Sequence, residues 1–261
     1  MIRALTTAAT GMEAQQTRLD VTANNIANVS TAGFKKGRAE FQDLMYQELR
    51  APGSQTSDAT MAPTGLEIGL GVRTVDTQRD HSEGDLQQTG NPLDLAVEGN
   101  GFFQVIMPDG SLGYTRNGQF KLDQDGKVVT TDGYPLADGI TIPPEATQVT
   151  IGPDGTVTAV LPSSPAPAQV GKIQLANFVN PAGLTAQGRN LFLETSASGA
   201  AVTGKPGENG VGTISQGTTE LSNVKVVEEM IDLIAGQRAY EINTRVVKAA
   251  DEMLQTTAGL R

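Results

Sequence analysis

Apolar residues recur every seven positions at both ends of the chain, and on a shorter period between them. Near the N-terminus the repeat runs Leu5, Met12, Leu19, Ile26, with Ala8, Ala9, Ala23 and Val29 beside it and a polar flank of Arg3, Thr6, Thr7, Glu13, Gln15, Gln16, Arg18 and Asp20. Near the C-terminus it runs Val226, Leu233, Tyr240, Val247, Leu254, supported by Val227, Met230, Ile231, Ile234 and Ala250. A seven-residue repeat keeps one narrow seam of a helix against a partner, so each end is predicted to be a long amphipathic helix. The first would be on the order of 40 Å long at 1.5 Å per residue, and so narrow a strip does not hold a helix by itself. The two strips are expected to pack on each other and on other copies.

Three asparagines, Asn24, Asn25 and Asn28, form a polar patch beside the Leu19/Ile26 seam. Either they loosen and cap the helix end before Gly33, or their amides hydrogen-bond across a helix interface and set its register. Local sequence leaves both open. The second helix is expected to start near Ser222 or Asn223, either of which suits an N-cap. Glu228 and Glu229 stand early and Arg245 and Lys248 late, as the helix dipole prefers. Gly236, inside this helix, is expected to be a weak point costing about 1 kcal/mol against alanine.

After Phe34 the helical period is lost. Lys35, Lys36 and Arg38 read as a solvated basic junction. Phe41, Leu44, Met45 and Leu49 restore a brief apolar spacing that Ala51-Pro52-Gly53 ends. Residues Gly53 to Gly65 are small and polar, the composition of a loop, and one that could order against neighbouring copies. From Leu93 the alternation is regular, with candidate strands at Leu93–Val97, Phe102–Met107, Leu112–Arg116, Gln119–Asp123, Lys127–Thr131, Gln148–Ile151, Thr156–Val160 and Lys172–Phe178. Asp-Gly pairs at 109–110, 125–126, 132–133, 138–139 and 154–155, and Asn-Gly at 117–118, punctuate them as hairpins do.

The fold class is therefore α+β: paired, coiled-coil-like N- and C-terminal helices around a central antiparallel β domain. The expected divisions are a helical terminal domain of 1–32 and 222–261, extended connections at 33–80 and 205–221, and a β-rich outer domain at 81–204.

Composition narrows the function. At 261 residues the chain can form two or three compact units, but with 38% hydrophobic residues, 4% aromatics and no Trp the core per residue is modest. A net charge of −10 repels nucleic-acid phosphates and acidic membranes. Absence of cysteine rules out disulfides and thiolate metal sites, and suits a chain that stays unfolded in transit. No run of apolar residues is long enough to span a bilayer. The N-terminus lacks the apolar core of a secretory signal, so export would proceed without a cleavable signal.

Candidate chemistry fails on inspection. Asp123-Gln124-Asp125-Gly126 opens like a calcium loop but lacks the later acidic ligands. Gly99-Asn100-Gly101 is too short for a dinucleotide fingerprint. His81, the one histidine, reads as a surface residue beside Asp80 and Glu83. No nucleophile, base and orienter assemble, so no enzyme, cofactor or metal is expected.

Four segments carry a resemblance: ANNIANVSTAGFKKGR (Ala23–Arg38), EGNGFFQV (Glu98–Val105), YTRNGQF (Tyr114–Phe120) and the C-terminal stretch from Ser222 to Gln255. Together they resemble the bacterial flagellar rod and hook family across nearly the whole chain. Length and the segment Tyr46–Pro63, which includes Pro52, are most similar to distal rod members. A proximal rod or hook subunit is the alternative, and a secreted β-rich carbohydrate enzyme the distant one. That enzyme needs paired carboxylates facing a cleft, whereas the acidic residues here stand mostly at turns. The resemblance implies an axial structural protein, exported unfolded by the flagellar type III apparatus and assembled as a helical homopolymer across the periplasm. Its termini would line the inner core and its β domain would lie outside. The implied partners are further copies, neighbouring proximal rod and hook proteins and the surrounding basal-body rings. A contact that does not close into a ring propagates as a helix of subunits.

Overall fold

The computed structural model describes residues 2–57, 60–162, 164–208 and 210–259. Met1, Asp58, Ala59, Ser163, Asn209, Leu260 and Arg261, which fall in the expected terminal domain, rod-type segment, β region and connection, lie outside the described residues. The class is α+β, with two terminal helices flanking a central antiparallel β region. The chain divides into a helical unit of residues 1–27, 37–78 and 225–261 and a β unit of residues 28–36 and 79–224.

In the helical unit, α1 (Ile2–Ala27) and α2 (Val226–Gly259) pack antiparallel. Asn25 meets Glu229, Leu19 lies over Gly236 and Gly11 faces Asn243, so rising numbers in one helix meet falling numbers in the other. A second flank of α1 is covered by the strand Gly37–Asp43, which pairs with Val72–Arg79 as a two-stranded sheet. Thr10 Oγ1 accepts the Val72 N–H at 3.4 Å. The intervening chain forms a long hairpin in which Tyr46–Arg50 runs antiparallel to Leu66–Gly69, and Gln55–Ser57 pairs with Thr60–Met61.

Helix α2 starts at Val226, later than expected. Ser222 and Asn223 do not cap it: the Asn223 side chain accepts the Lys36 N–H at 2.8 Å and donates to Asp80 O at 2.9 Å, spending its hydrogen bonds inside the β unit.

The β unit is built on a six-stranded antiparallel sheet in the order Thr185–Gly188, Leu191–Leu193, Leu112–Thr115, Phe102–Ile106, Leu175–Asn177, Val202–Gly204. Alternation along its central strand sends Phe103 and Val105 into the main core with Leu95, Phe120, Leu136, Val157 and Leu175. Phe102 faces the other way, into an aromatic cluster with Tyr114, Phe178 and Phe192. A three-stranded sheet, Gln148–Ile151, Thr156–Leu161 and Ser164–Lys172, packs its buried Ile151 and Val157 against the main core.

The Asp-Gly pairs at 109–110, 125–126 and 154–155 each lie between paired strands. Asn117-Gly118 behaves differently from the expected hairpin. Gly118 O accepts the Leu95 N–H at 3.0 Å, and a Cβ at this glycine would sit 1.6 Å from Leu95 O, so the glycine serves a close backbone crossing.

A candidate assembly surface on the terminal helices

The heptad positions of α1, Leu5, Met12, Leu19 and Ile26, are all half-buried, whereas the fully buried residues of that helix are Ala8, Ala14, Thr22 and Asn25. On α2, Leu233, Val247 and Leu254 are half-buried, Val226 and Tyr240 are about 40% exposed, and Glu229, Gly236 and Ala250 are buried. The contact between the helices is therefore made largely of small and polar residues. Its centre explains Gly236. A Cβ there would lie 3.0 Å from Leu19 Cδ2, so the glycine is a place of close approach between the helices, as is Gly11, where a Cβ would lie 3.0 Å from Asn243 Nδ2. Met12 Sδ accepts the Thr244 hydroxyl at 3.6 Å, and Arg18 pairs with Asp232 at 2.7 Å near the surface.

The asparagine patch divides by position. Asn25 Oδ1 accepts the Gly37 N–H at 2.8 Å, while its Nδ2 donates to Gly37 O at 2.9 Å and to Glu229 Oε2 at 3.1 Å. One buried amide thus satisfies both backbone groups of a strand residue and a buried carboxylate on α2, tying three elements at one height. A slip of either helix by one residue would strand those groups without partners, a cost of about 1–3 kcal/mol each. Asn28 accepts the Thr31 hydroxyl at 3.3 Å in the turn after α1, and Asn24 is exposed.

The structure separates the apolar residues of α2 into two faces. Val227, Met230, Ile231 and Ile234, grouped above with the seam, point away from it. At 100° per residue they stand opposite Glu229, Gly236 and Asn243, and Val227 and Ile231 are 71% and 62% exposed. Ile242, Val246 and Met253 are exposed as well, but they lie further round the helix, and Arg238, Glu241 and Arg245 follow Ile234 on this face. A bare apolar cluster such as that of Val227, Met230, Ile231 and Ile234 marks an interaction surface. The long hairpin adds a second bare set: Tyr46 is exposed with Met45, Leu49, Met61 and Leu66, and Pro52 and Pro63 stand exposed on either side of its tip.

The β unit holds two further departures from expectation. Lys35 is no solvated junction. Its side chain is fully buried, with Nζ 2.5 Å from both Glu220 Oε1 and Ser82 O, and burial pulls its pKa down against the pull of the carboxylate. Arg116, also buried, reaches Glu220 Oε2 at 3.5 Å and donates to Val97 O and Gly99 O. His81 is half-buried rather than on the surface, edge-on to Phe102 and Phe192. Among the described residues no cluster of His, Asp and Glu has the makings of a metal site.

Comparison with known proteins joins these parts. Residues 5–35 match the family described as flagella basal body rod protein, 96–159 the D1 domain of flagellar hook protein FlgE/F/G, and 215–260 the C-terminal region of flagellar basal body rod FlgEFG proteins. The chain is 50% identical over its whole length, and that of the relative, to the flagellar basal-body rod protein FlgG of Caulobacter vibrioides. It is 48% identical to that of Agrobacterium fabrum with 97% of each chain covered, and 47% identical to that of Buchnera aphidicola from Schizaphis graminum with both chains fully covered. The chain belongs to the FlgG family of flagellar basal-body rod proteins.

Proposed function

We propose that this rod protein is the repeating subunit of the distal rod, a tube that carries torque from the motor to the hook across the periplasm. Its copies pack through α1 and α2 at the inner core, with the β unit outside. It works by shape and contact, without catalysis or cofactor. Each chain leaves the cytoplasm unfolded through the flagellar type III apparatus. It then adds to proximal rod subunits, meets hook subunits at the far end and turns inside the basal-body rings.

The observation that carries this reading is the second, bare apolar face of α2. In a lone chain that face costs solvation free energy at about 25 cal/mol per Å², and in a polymer a neighbouring copy covers it. Replacing Ile231 and Ile234 with Asp tests it. The double variant should keep the far-ultraviolet spectrum and melting temperature of the monomer while losing sedimentable polymer. Polymer formed as readily as by the parent chain would remove α2 from the subunit contact.

A further inference from the structure

We propose that the β unit contains an acid-sensitive joint at His81, where protonating that one imidazole releases the three chain segments held together around Lys35 and Glu220. The segments are 33–36, 79–84 and 218–223. Lys35 Nζ donates to Ser82 O, Arg79 Nη1 donates to Lys35 O at 3.0 Å, and the Asp80 N–H donates to Lys36 O at 2.9 Å. Glu220 Oε1 also accepts the Gly84 N–H at 3.0 Å, and Asn223 bridges Lys36 and Asp80. His81 stands in the middle of the second segment, between the residues that make these bonds.

The surroundings of the ring have no place for a positive charge. Its centroid lies 5.5 Å from that of Phe102 and 5.2 Å from that of Phe192, and Nδ1 is buried without a hydrogen-bond partner. The same aromatic rings already carry guanidinium groups: Arg116 over Phe102 at 5.7 Å and Arg79 over Phe192 at 5.9 Å. Lys35 adds a third cation. Three carboxylates face this group, and each is engaged. Glu220 is shared by Lys35 and Arg116, Asp80 accepts the Ser82 N–H at 2.9 Å, and Glu83 accepts the Gly99 N–H at 3.1 Å. An imidazolium would meet repulsion from three cations, and the buried Glu220 Oε2, which has no hydrogen-bond partner, already faces Arg116 at 3.5 Å, so the charged ring is stable only after it swings into water. That swing carries Asp80 and Ser82 away from Lys36 and Lys35.

The titration direction agrees with the geometry. Burial, then the charges of Lys35, Arg116 and Arg79, push the His81 pKa down to about 4, opposed by Asp80. The closed joint therefore stays unprotonated between pH 6.5 and 4, while an opened joint takes up a proton over the same window. The joint is at full strength above pH 6.5 and weakens as pH falls.

Two measurements on the full-length chain test this. The first follows the His81 ring by NMR from pH 8 to 3.5. The second compares amide exchange at Asp80 and Gly84, corrected for intrinsic pH dependence, at pH 7 and 4.5 in the parent and His81→Phe. The parent ring should titrate near pH 4, and its joint amides should open roughly 50- to 100-fold more often at pH 4.5. In His81→Phe that increase should shrink to a few-fold. A ring that titrates near 6.5, or a variant whose amides open as much as the parent's, overturns the proposal. If His81→Phe does not fold, His81→Gln replaces it under the same criteria, and the ring titration needs no variant.

Discussion

Lys35 shows how much one side chain's partner decides. A buried charge deprived of its counter-ion costs about 3–5 kcal/mol, and Lys35→Met would leave Glu220 with the longer Arg116 contact for its charge and the Gly84 N–H for its hydrogen bond. The variant should lose about 3 kcal/mol or more in urea denaturation of the β unit. Lys35→Arg should recover little, because a planar guanidinium does not fit the site of a compact ammonium that reaches Ser82 O and Glu220 together. A loss below about 1 kcal/mol in Lys35→Met would mean the pair does not hold the joint. Nothing near Lys35 in sequence announces this role. Lys35, Lys36 and Arg38 are alike in composition, yet they are buried, half-buried and exposed in that order. The choice among them depends on a glutamate 185 positions away. Asn25 was more legible, because three asparagines beside an apolar seam point to a polar contact. Which amide turns inward depends on where Gly37 passes, and no local pattern records that.

At the level of elements, the period marks the helices, while the make-up of the contact between them is not written in it. The seven-residue spacing identified two terminal helices. It could not reveal that Gly236 meets Leu19 and Gly11 meets Asn243 across their mutual face, since small residues give no hydrophobic signal while permitting close approach. Nor does hydropathy tell a covered face from a bare one, which is why Ile231 and Ile234 were grouped with Leu233. Asp-Gly turns between alternating runs marked the hairpins, whereas short strands such as Thr185–Gly188 and Val202–Gly204 carry too few apolar residues to stand out. Gly236 provides the test at this scale. Gly236→Ala gains about 1 kcal/mol of helix propensity and meets the flexible end of Leu19 at 3.0 Å, so its effect on helical melting should be near zero. Gly236→Leu cannot be accommodated by Leu19 alone and should drive the helices apart, lowering monomer helicity by circular dichroism and abolishing polymer. Unchanged helicity and assembly in Gly236→Leu would disprove the close approach.

For the molecule as a whole, the two units differ in how they are held. The β unit has a large apolar core and an aromatic cluster, whereas the helices share a narrow contact and leave Val227, Met230, Ile231 and Ile234 uncovered. In the monomer, limited proteolysis should therefore leave a fragment within roughly 34–217, and equal protection of 1–30 and 225–261 would contradict assembly-coupled ordering of the ends. The long hairpin from Tyr46 belongs to the same logic. Two strands without a sheet behind them are marginal in water, and this pair exposes Met45, Tyr46, Leu49, Met61 and Leu66. Lying between neighbouring subunits, it would gain cover for those side chains, and each copy wedged there would remove a sliding mode from the tube. Pro52 and Pro63 restrict its backbone beforehand, and the Gly53 N–H bonded to Ala62 O at 2.9 Å closes the tip between them. Deleting Gly53–Met61 should leave export and polymerisation intact, because the terminal helices are untouched, while making assembled tubes bend more. Curvature and persistence length measured by electron microscopy decide the matter: a deletion tube as stiff as the parent would take away the hairpin's stiffening role and leave it an exposed loop of the subunit.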